Sequence, residues 1–280
     1  MRFEKWQALG NDYVIVEERE LPFELTPARV RVVCAAHTGV GSDGVLLLSE
    51  TDDDAVAEVR IFNPDGSEAE LSGNGVRQAV MYLRQRGWTG EDEFTVRTAA
   101  GEVRPRIEGG LCTMDIGHAR LRAESDYPAG AGDGRGTLTS DGREFAFQFV
   151  QVGNPQVSVE AGDELEGLDL KRYGPGIERN ELFPNRTNAS FWRRDGDDRI
   201  RARIFERGVG ETMASGTGAT GAAVAATLSG VASPVTVVLD GGELTIDVAD
   251  DLRIEMTGWA RPVYAGTLSE DFLKELNATE

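Results

Sequence analysis

Apolar and polar positions alternate through residues 2–17, which predicts two short strands broken at Gly10-Asn11. Thr26-Pro27 pairs an N-cap with a first-turn residue and opens a helix expected to run to about His37. Val30, Val33, Cys34 and His37 share its periodic face, so His37 is expected in the core. Gly39–Gly44 is a turn cluster, Val45–Leu48 reads as a buried strand, and Val59–Phe62 runs as a strand into the turn Asn63-Pro64-Asp65-Gly66. Beyond Gly75, a face of Val76, Ala79, Val80 and Leu83 predicts a helix that stops by Gly87. Residues 219–228 are Ala, Val, Gly and Thr with one Leu, apolar all round, which is the signature of a buried helix. Strands are expected near 94–98, 102–107, 111–116, 147–151, 156–160, 188–193, 200–205, 235–239, 243–248 and 252–256. Residues 123–136, rich in Gly, Asp and Ala, form the candidate linker, and Ser269-Glu270-Asp271 caps a last helix.

These elements occur twice. Arg60-Ile61-Phe62 and Ser72-Gly73-Asn74-Gly75 return as Arg203-Ile204-Phe205 and Ser215-Gly216-Thr217-Gly218, at an offset of 143 residues (Ser72 to Ser215). Gly10-Asn11 returns at the same offset as Gly153-Asn154. Past the helices the offset falls to 141, where Gly101-Glu102 matches Gly242-Glu243 and Ala119-Arg120 matches Ala260-Arg261. A repeat of this length is a duplicated domain rather than a solenoid unit. The expected fold is therefore α+β, with two pseudo-symmetric domains. Each would wrap a barrel-like mixed sheet around one central helix. The expected domains are residues 1–119 with 264–280, and residues 120–263.

Composition narrows the partners. The chain of 280 residues carries a net charge of −19, which disfavours nucleic acid and anionic membrane. Lysine occurs only at positions 5, 171 and 274, an acidic and lysine-poor balance suited to a high-salt cytoplasm, as in a halophile. No apolar run approaches the roughly 18 residues of a membrane span, so a cytoplasmic protein is the default expectation. Cys34 and Cys112 lack metal-ligand or disulfide spacing and read as two buried, reduced thiols. His37 and His118 form no ligand cluster, so no metal is expected.

The chemistry gathers at the two glycine loops. At a helix start, Gly73, Asn74, Gly216 and Thr217 offer N–H groups with no intrahelical partner, an arrangement suited to an anion. Two such helix starts facing one another would hold a carboxylate. Arg207 could fork onto a second carboxylate. Asn11, Asn63, Asn154, Asn188 and Glu206 could read an ammonium group. A small zwitterion with more than one charged end fits this set.

The motifs Ala8-Leu9-Gly10-Asn11-Asp12, Phe62-Asn63-x-Asp65-Gly66-Ser67-Glu68, Ser72-Gly73-Asn74-Gly75-x-Arg77, Gly153-Asn154-Pro155 and Glu206-Arg207-Gly208-x-Gly210-Glu211-Thr212-x-Ala214-Ser215-Gly216-x-Gly218 resemble the diaminopimelate epimerase family over nearly the whole chain. The resemblance implies a cofactor-independent, two-base interconversion of LL- and meso-diaminopimelate in lysine biosynthesis. It implies Ser72 and Ser215 at the two proton-transfer positions and Asn11, Asn63, Gly73, Asn74, Asn154, Asn188, Glu206, Arg207, Gly216 and Thr217 around the substrate; a homodimer is compatible with it. The family carries cysteines at the two proton-transfer positions and usually a histidine where Gln156 stands. A serine hydroxyl is a far weaker acid than a thiol. Two other readings therefore stand beside the epimerase: a catalytically silent diamino-diacid binding protein, and a related isomerase using Glu68 or Glu211 as a carboxylate base.

Overall fold

The computed structural model describes residues 1–279. Two compact units result, one from Met1–Met114 with the chain from Gly258 onward, the other from Asp115–Thr257. The sequence offsets place the domain edges at 119/120 and 263/264, a few residues along from these boundaries. Among the described residues the α-helices are α1 (Pro27–Cys34), α2 (Gly73–Gln85), α3 (Leu170–Glu178), α4 (Gly216–Leu228) and α5 (Glu270–Ala278).

In the first unit the strands run, edge to edge, Arg261–Thr267, Arg2–Ala8, Asn11–Glu17, Val45–Ser49, Ala57–Phe62, Val96–Thr98 and Gly101–Val103. The second unit repeats the central order as Arg143–Val152, Asn154–Glu160, Asn188–Arg194, Arg199–Glu206, Val235–Leu239 and Gly242–Val248. Both sheets are mixed in the same places. Asn11–Glu17 is parallel to Val45–Ser49, as Asn154–Glu160 is to Asn188–Arg194. Ala57 sits opposite Val96 in a parallel pair, and Ile200 opposite Val237. The short pairs Phe62↔Glu68 and Phe205↔Glu211 match residue for residue at the 143 offset. Duplication is thus visible in hydrogen-bond register as well as in motif.

Each sheet curves around one helix. The helix α4 packs against strands from Arg143–Val152 through Gly242–Val248, so it is covered on all sides, and nine of its thirteen residues are buried. Its side chains must be small to fit inside the curve, which is why the segment is nearly all Ala, Gly, Val and Thr. The helix α2 sits likewise against the strands of the first unit and buries Val76, Ala79, Val80 and Leu83. Arg77 and Gln78 are also fully buried there.

Four local expectations change. The helix α1 ends at Cys34, and His37 is exposed rather than packed in the core. The chain folds back across the helix end: Val40 and Gly41 donate to the carbonyl of Val33, at 2.9 and 3.2 Å. Only glycine fits at position 39, where a Cβ would overlap the carbonyls of Val32 and Val33. The candidate linker is anchored, because Tyr127 is buried among Phe147, Phe149 and Phe183, with ring centroids 5.3–5.7 Å away. The helix α3 lies where sequence periodicity pointed to no element. Finally, Arg261–Thr267 forms an edge strand with a largely exposed pattern, so its alternation carries no burial signal.

Candidate active site

Ser72 is the N-cap of α2 and Ser215 the N-cap of α4, both with extended backbone. Each Oγ accepts the N–H of the glycine three residues on, Gly75 at 3.1 Å and Gly218 at 3.2 Å. This closes the N-terminal turn and leaves the first two helical N–H groups, of Gly73 and Asn74 and of Gly216 and Thr217, without intrahelical partners. The motif glycines have a packing reason. A Cβ at Gly218 would stand 2.7 Å from Ile204 Cγ2, and one at Gly75 would stand 3.2 Å from Leu46 Cδ2.

The surroundings of the two serines differ. Ser72 is half-buried, and its Oγ also accepts the hydroxyl of Tyr13, at 3.3 Å. Burial pushes the Tyr13 phenol up from its ordinary value, so it stays protonated. Behind the loop, the fully buried guanidinium of Arg77 donates to Asn74 Oδ1. Burial lowers that guanidinium to about 10; burial likewise pushes the nearby Cys112 thiol up, an effect the Arg77 charge only partly offsets. At the repeat-equivalent position Thr220 only bonds back to the Gly216 carbonyl, at 2.9 Å. Ser215, in contrast, is buried and donates to Glu206 Oε2 at 2.9 Å.

Each asparagine expected at the site has one end of its amide engaged by the protein. Asn11 Nδ2 donates to Asp43 Oδ2 at 3.0 Å, and its backbone carbonyl accepts Gln78 Nε2 at 3.1 Å. Asn63 Nδ2 donates to Ser67 Oγ at 3.0 Å. In the second unit the oxygen is engaged instead. Asn154 Oδ1 accepts from Gln156 Nε2, and Asn188 Oδ1 accepts the backbone N–H of Arg207 at 2.7 Å. Arg207 is exposed and gives one guanidinium N–H to the Asn185 carbonyl at 2.7 Å.

Sequence reasoning missed several supports. The buried carboxylate of Glu178 accepts the N–H of Gly208 at 3.1 Å, so Asn188 and Glu178 together fix the turn that presents Arg207. Nothing in the local sequence marks Glu178. Tyr13 sits one strand position away from a motif residue and reads as core. Its ring needs Gly44, where a Cβ would lie 2.6 Å from Tyr13 Cε1. Arg77 carried a signal, being a charge on the apolar face of Val76 and Val80.

Glu68 and Glu211 are placed differently from a free base. Arg60 forks onto Glu68 with two bonds of 2.9 Å and holds its carboxyl below the usual range. Arg203 holds Glu211 by one oxygen, its Nε and Nη2 both donating to Oε1, at 3.1 and 2.5 Å. Both pairs brace the turn before a serine loop.

A curved mixed sheet around one buried helix, present twice, defines a duplicated α+β fold found in several solved proteins. A phenazine biosynthesis protein of the PhzF family from Bacillus anthracis superposes with a TM-score of 0.67 at 18% identity, over 96% of this chain and 99% of that one. A hydroxyproline epimerase from Agrobacterium vitis superposes with a TM-score of 0.63 at 15% identity, over 96% of this chain and 90% of that one. Sequence narrows the class. The diaminopimelate epimerase model matches residues 3–121 and 148–263, and the chain belongs to that family. It is 42% identical to the diaminopimelate epimerase of Synechococcus sp. (strain JA-3-3Ab), over 96% of this chain and 99% of that one. It is 38% identical to that of Desulfitobacterium hafniense, over 98% and 100%.

Proposed function

We propose that this chain interconverts LL- and meso-2,6-diaminopimelate by removing and returning the proton of one α-carbon, with its own side chains and no cofactor. The observation that carries the proposal is the pair of serine N-caps, each beside two helix N–H groups that the helix does not use. Ser72 and Ser215 handle the proton in this reading, and Gly73, Asn74, Gly216 and Thr217 supply N–H donors to the carboxylate next to the reacting carbon. The half-used amides support a division of labour at the distal end. Asn11 and Asn63 keep side-chain oxygens for an ammonium. Asn154 and Asn188 keep N–H groups, beside the guanidinium of Arg207, for a carboxylate.

Serine is too weak an acid to wait as an alkoxide, so the base must be borrowed. The Ser215–Glu206 bond supplies one: Ser215 Oγ takes the α-proton as its own proton passes to the carboxylate. Incubation with LL-diaminopimelate in deuterated water at high salt tests the proposal. Deuterium should enter the α-position and meso isomer should accumulate; neither change after prolonged incubation rejects the activity.

One observation favours a second reading. Both thiols of the chain, Cys34 and Cys112, are buried and neither caps α2 or α4. A protein that holds the diamino diacid without turnover would bind meso-diaminopimelate in calorimetry and show no exchange. The proposal includes a homodimer. The outer edge of Arg261–Thr267, with Val263 and Tyr264 exposed, offers a surface for a second copy, and sedimentation measures the mass.

A further inference from the structure

The two serines are wired in opposite senses, although the repeat makes them equivalent. A hydroxyl has one proton to give and two lone pairs to fill. Ser72 Oγ fills both, with the N–H of Gly75 and the hydroxyl of Tyr13, so its own proton is left to point elsewhere. Ser215 Oγ fills one lone pair with the N–H of Gly218 and gives its proton to Glu206, so a lone pair is left to accept. The residues responsible are repeat-equivalent positions that have diverged. Tyr13 stands where the second half has Gln156, and Glu206 where the first half has Asn63.

We propose that Tyr13 is a positioning residue that readies Ser72 for proton delivery, while Glu206 readies Ser215 for proton removal, in one direction of the interconversion, the other direction running the same steps backwards; this rests on the epimerase reading above. Three further features support the assignment. The Tyr13 ring is 5% exposed and seated against Gly44, so the hydroxyl cannot swing away from Ser72. The phenol is neutral and has a proton to pass on. Arg77, buried behind the same loop, puts a positive charge against Asn74 on the Ser72 side, whereas α4 carries the neutral Thr220 there.

The steps balance. In removal, the Cα–H bond breaks and its electron pair stays on carbon. The proton bonds to Ser215 Oγ as the former hydroxyl proton moves to the Glu206 carboxylate. In delivery, the carbanion pair takes the Ser72 hydroxyl proton, and the Tyr13 phenol proton replaces it on Oγ. The protein is left with a neutral Glu206 and a Tyr13 phenolate, and exchange of one proton through solvent restores the starting state.

Tyr13→Phe tests this directly, because the ring and its seat on Gly44 are kept. Circular dichroism and calorimetric binding of meso-diaminopimelate should match the parent protein. Loss of a general acid predicts that kcat for α-deuterium incorporation falls on the order of a hundredfold with KM unchanged. The alkaline fall of kcat caused by phenol ionisation should also disappear in the variant. Unchanged kcat, or a loss that arises wholly from a raised KM, overturns the role of Tyr13 and leaves the epimerase reading standing. A parent protein that never exchanges its substrate's α-proton overturns both.

Discussion

The glycine three residues after each serine separates packing from ligand binding as the reason for the motif. In Gly218→Ala the new methyl would stand 2.7 Å from Cγ2 and 3.1 Å from Cδ1 of Ile204. Ordinary carbon contacts lie near 3.5–4.0 Å, so close to 1 Å must be found. Ile204 is 1% exposed, β-branched and held in the strand Arg199–Glu206, so it cannot supply that room by rotation. Overpacking of this kind costs about 1–3 kcal/mol, against which alanine recovers up to about 1 kcal/mol of helix propensity. The net loss is about 1–2 kcal/mol, or roughly 3–6 °C in melting temperature for a unit of this size. Gly75→Ala is the internal control. Its methyl would meet the tip of Leu46 at 3.2 Å and Ser72 at 3.2–3.3 Å. Ser215 Cβ lies equally close to position 218, so the two variants differ in the strand residue they meet, and a small rotation of the Leu46 tip lets the propensity gain cancel the cost. That variant should melt within about 1 °C of the parent. Calorimetry reads the melting temperatures, and Trp192 fluorescence follows the second unit, where it is buried. Equal melting of the two variants, or a larger loss in Gly75→Ala, would refute the packing account.

Other consequences follow from charge and burial. Glu211→Gln weakens a partly buried ion pair with Arg203 and should cost about 1–3 kcal/mol, whereas Glu68→Gln opens a more exposed pair and should cost less than about 1 kcal/mol. Neither change should abolish α-exchange in folded protein, and abolition by either would return that carboxylate to consideration as a base. Burial pushes the Cys112 thiol up to about 12, so at pH 8 about one molecule in 10⁴ is thiolate, and iodoacetamide should label it only after unfolding. Because folding raises this pKa, the associated stability is fully present below about pH 8.5 and is lost as pH rises toward 12, which urea titrations at pH 8 and 10 detect. At a net charge of −19, raising KCl from 0.1 to 2 M should increase the unfolding midpoint, since repulsion is screened while exposed pairs such as Arg2–Glu20 contribute little; a falling midpoint would count against a salt-adapted surface.

The repeat made most of this fold legible. Buried strands and the two central helices follow from apolar pattern, and Ser72 and Ser215 could be placed at helix starts because capping is local. The helix α3 escaped because Gly174, Pro175 and Gly176 interrupt its periodicity. Yet its N-cap Asp169 stands 143 residues after Thr26, the N-cap of α1, so the offset contained the element that composition concealed. Tyr127 shows the reverse limit. A Gly- and Asp-rich stretch looks free in sequence, but one aromatic side chain seated among three phenylalanines fixes it.

The least legible features are those that make the halves unlike each other. Matching residues across the repeat exposes what is shared, so Asn11 and Asn154 or Glu68 and Glu211 stand out as pairs. The unequal positions leave no such trace, and the hydrogen-bond polarity of each serine depends on them. Tyr13 opposite Gln156, Asn63 opposite Glu206 and Arg77 opposite Thr220 do not announce themselves as differences when each residue is read alone. Read in the fold, Tyr13 and Arg77 place a donor and a positive charge with Ser72 or its loop, and Glu206 places an acceptor with Ser215. Two loops with the same surroundings would have no distinct hydrogen-bond polarity. Divergence at these positions gives each loop one, and it does so without altering a residue of the Ser-Gly-x-Gly motif.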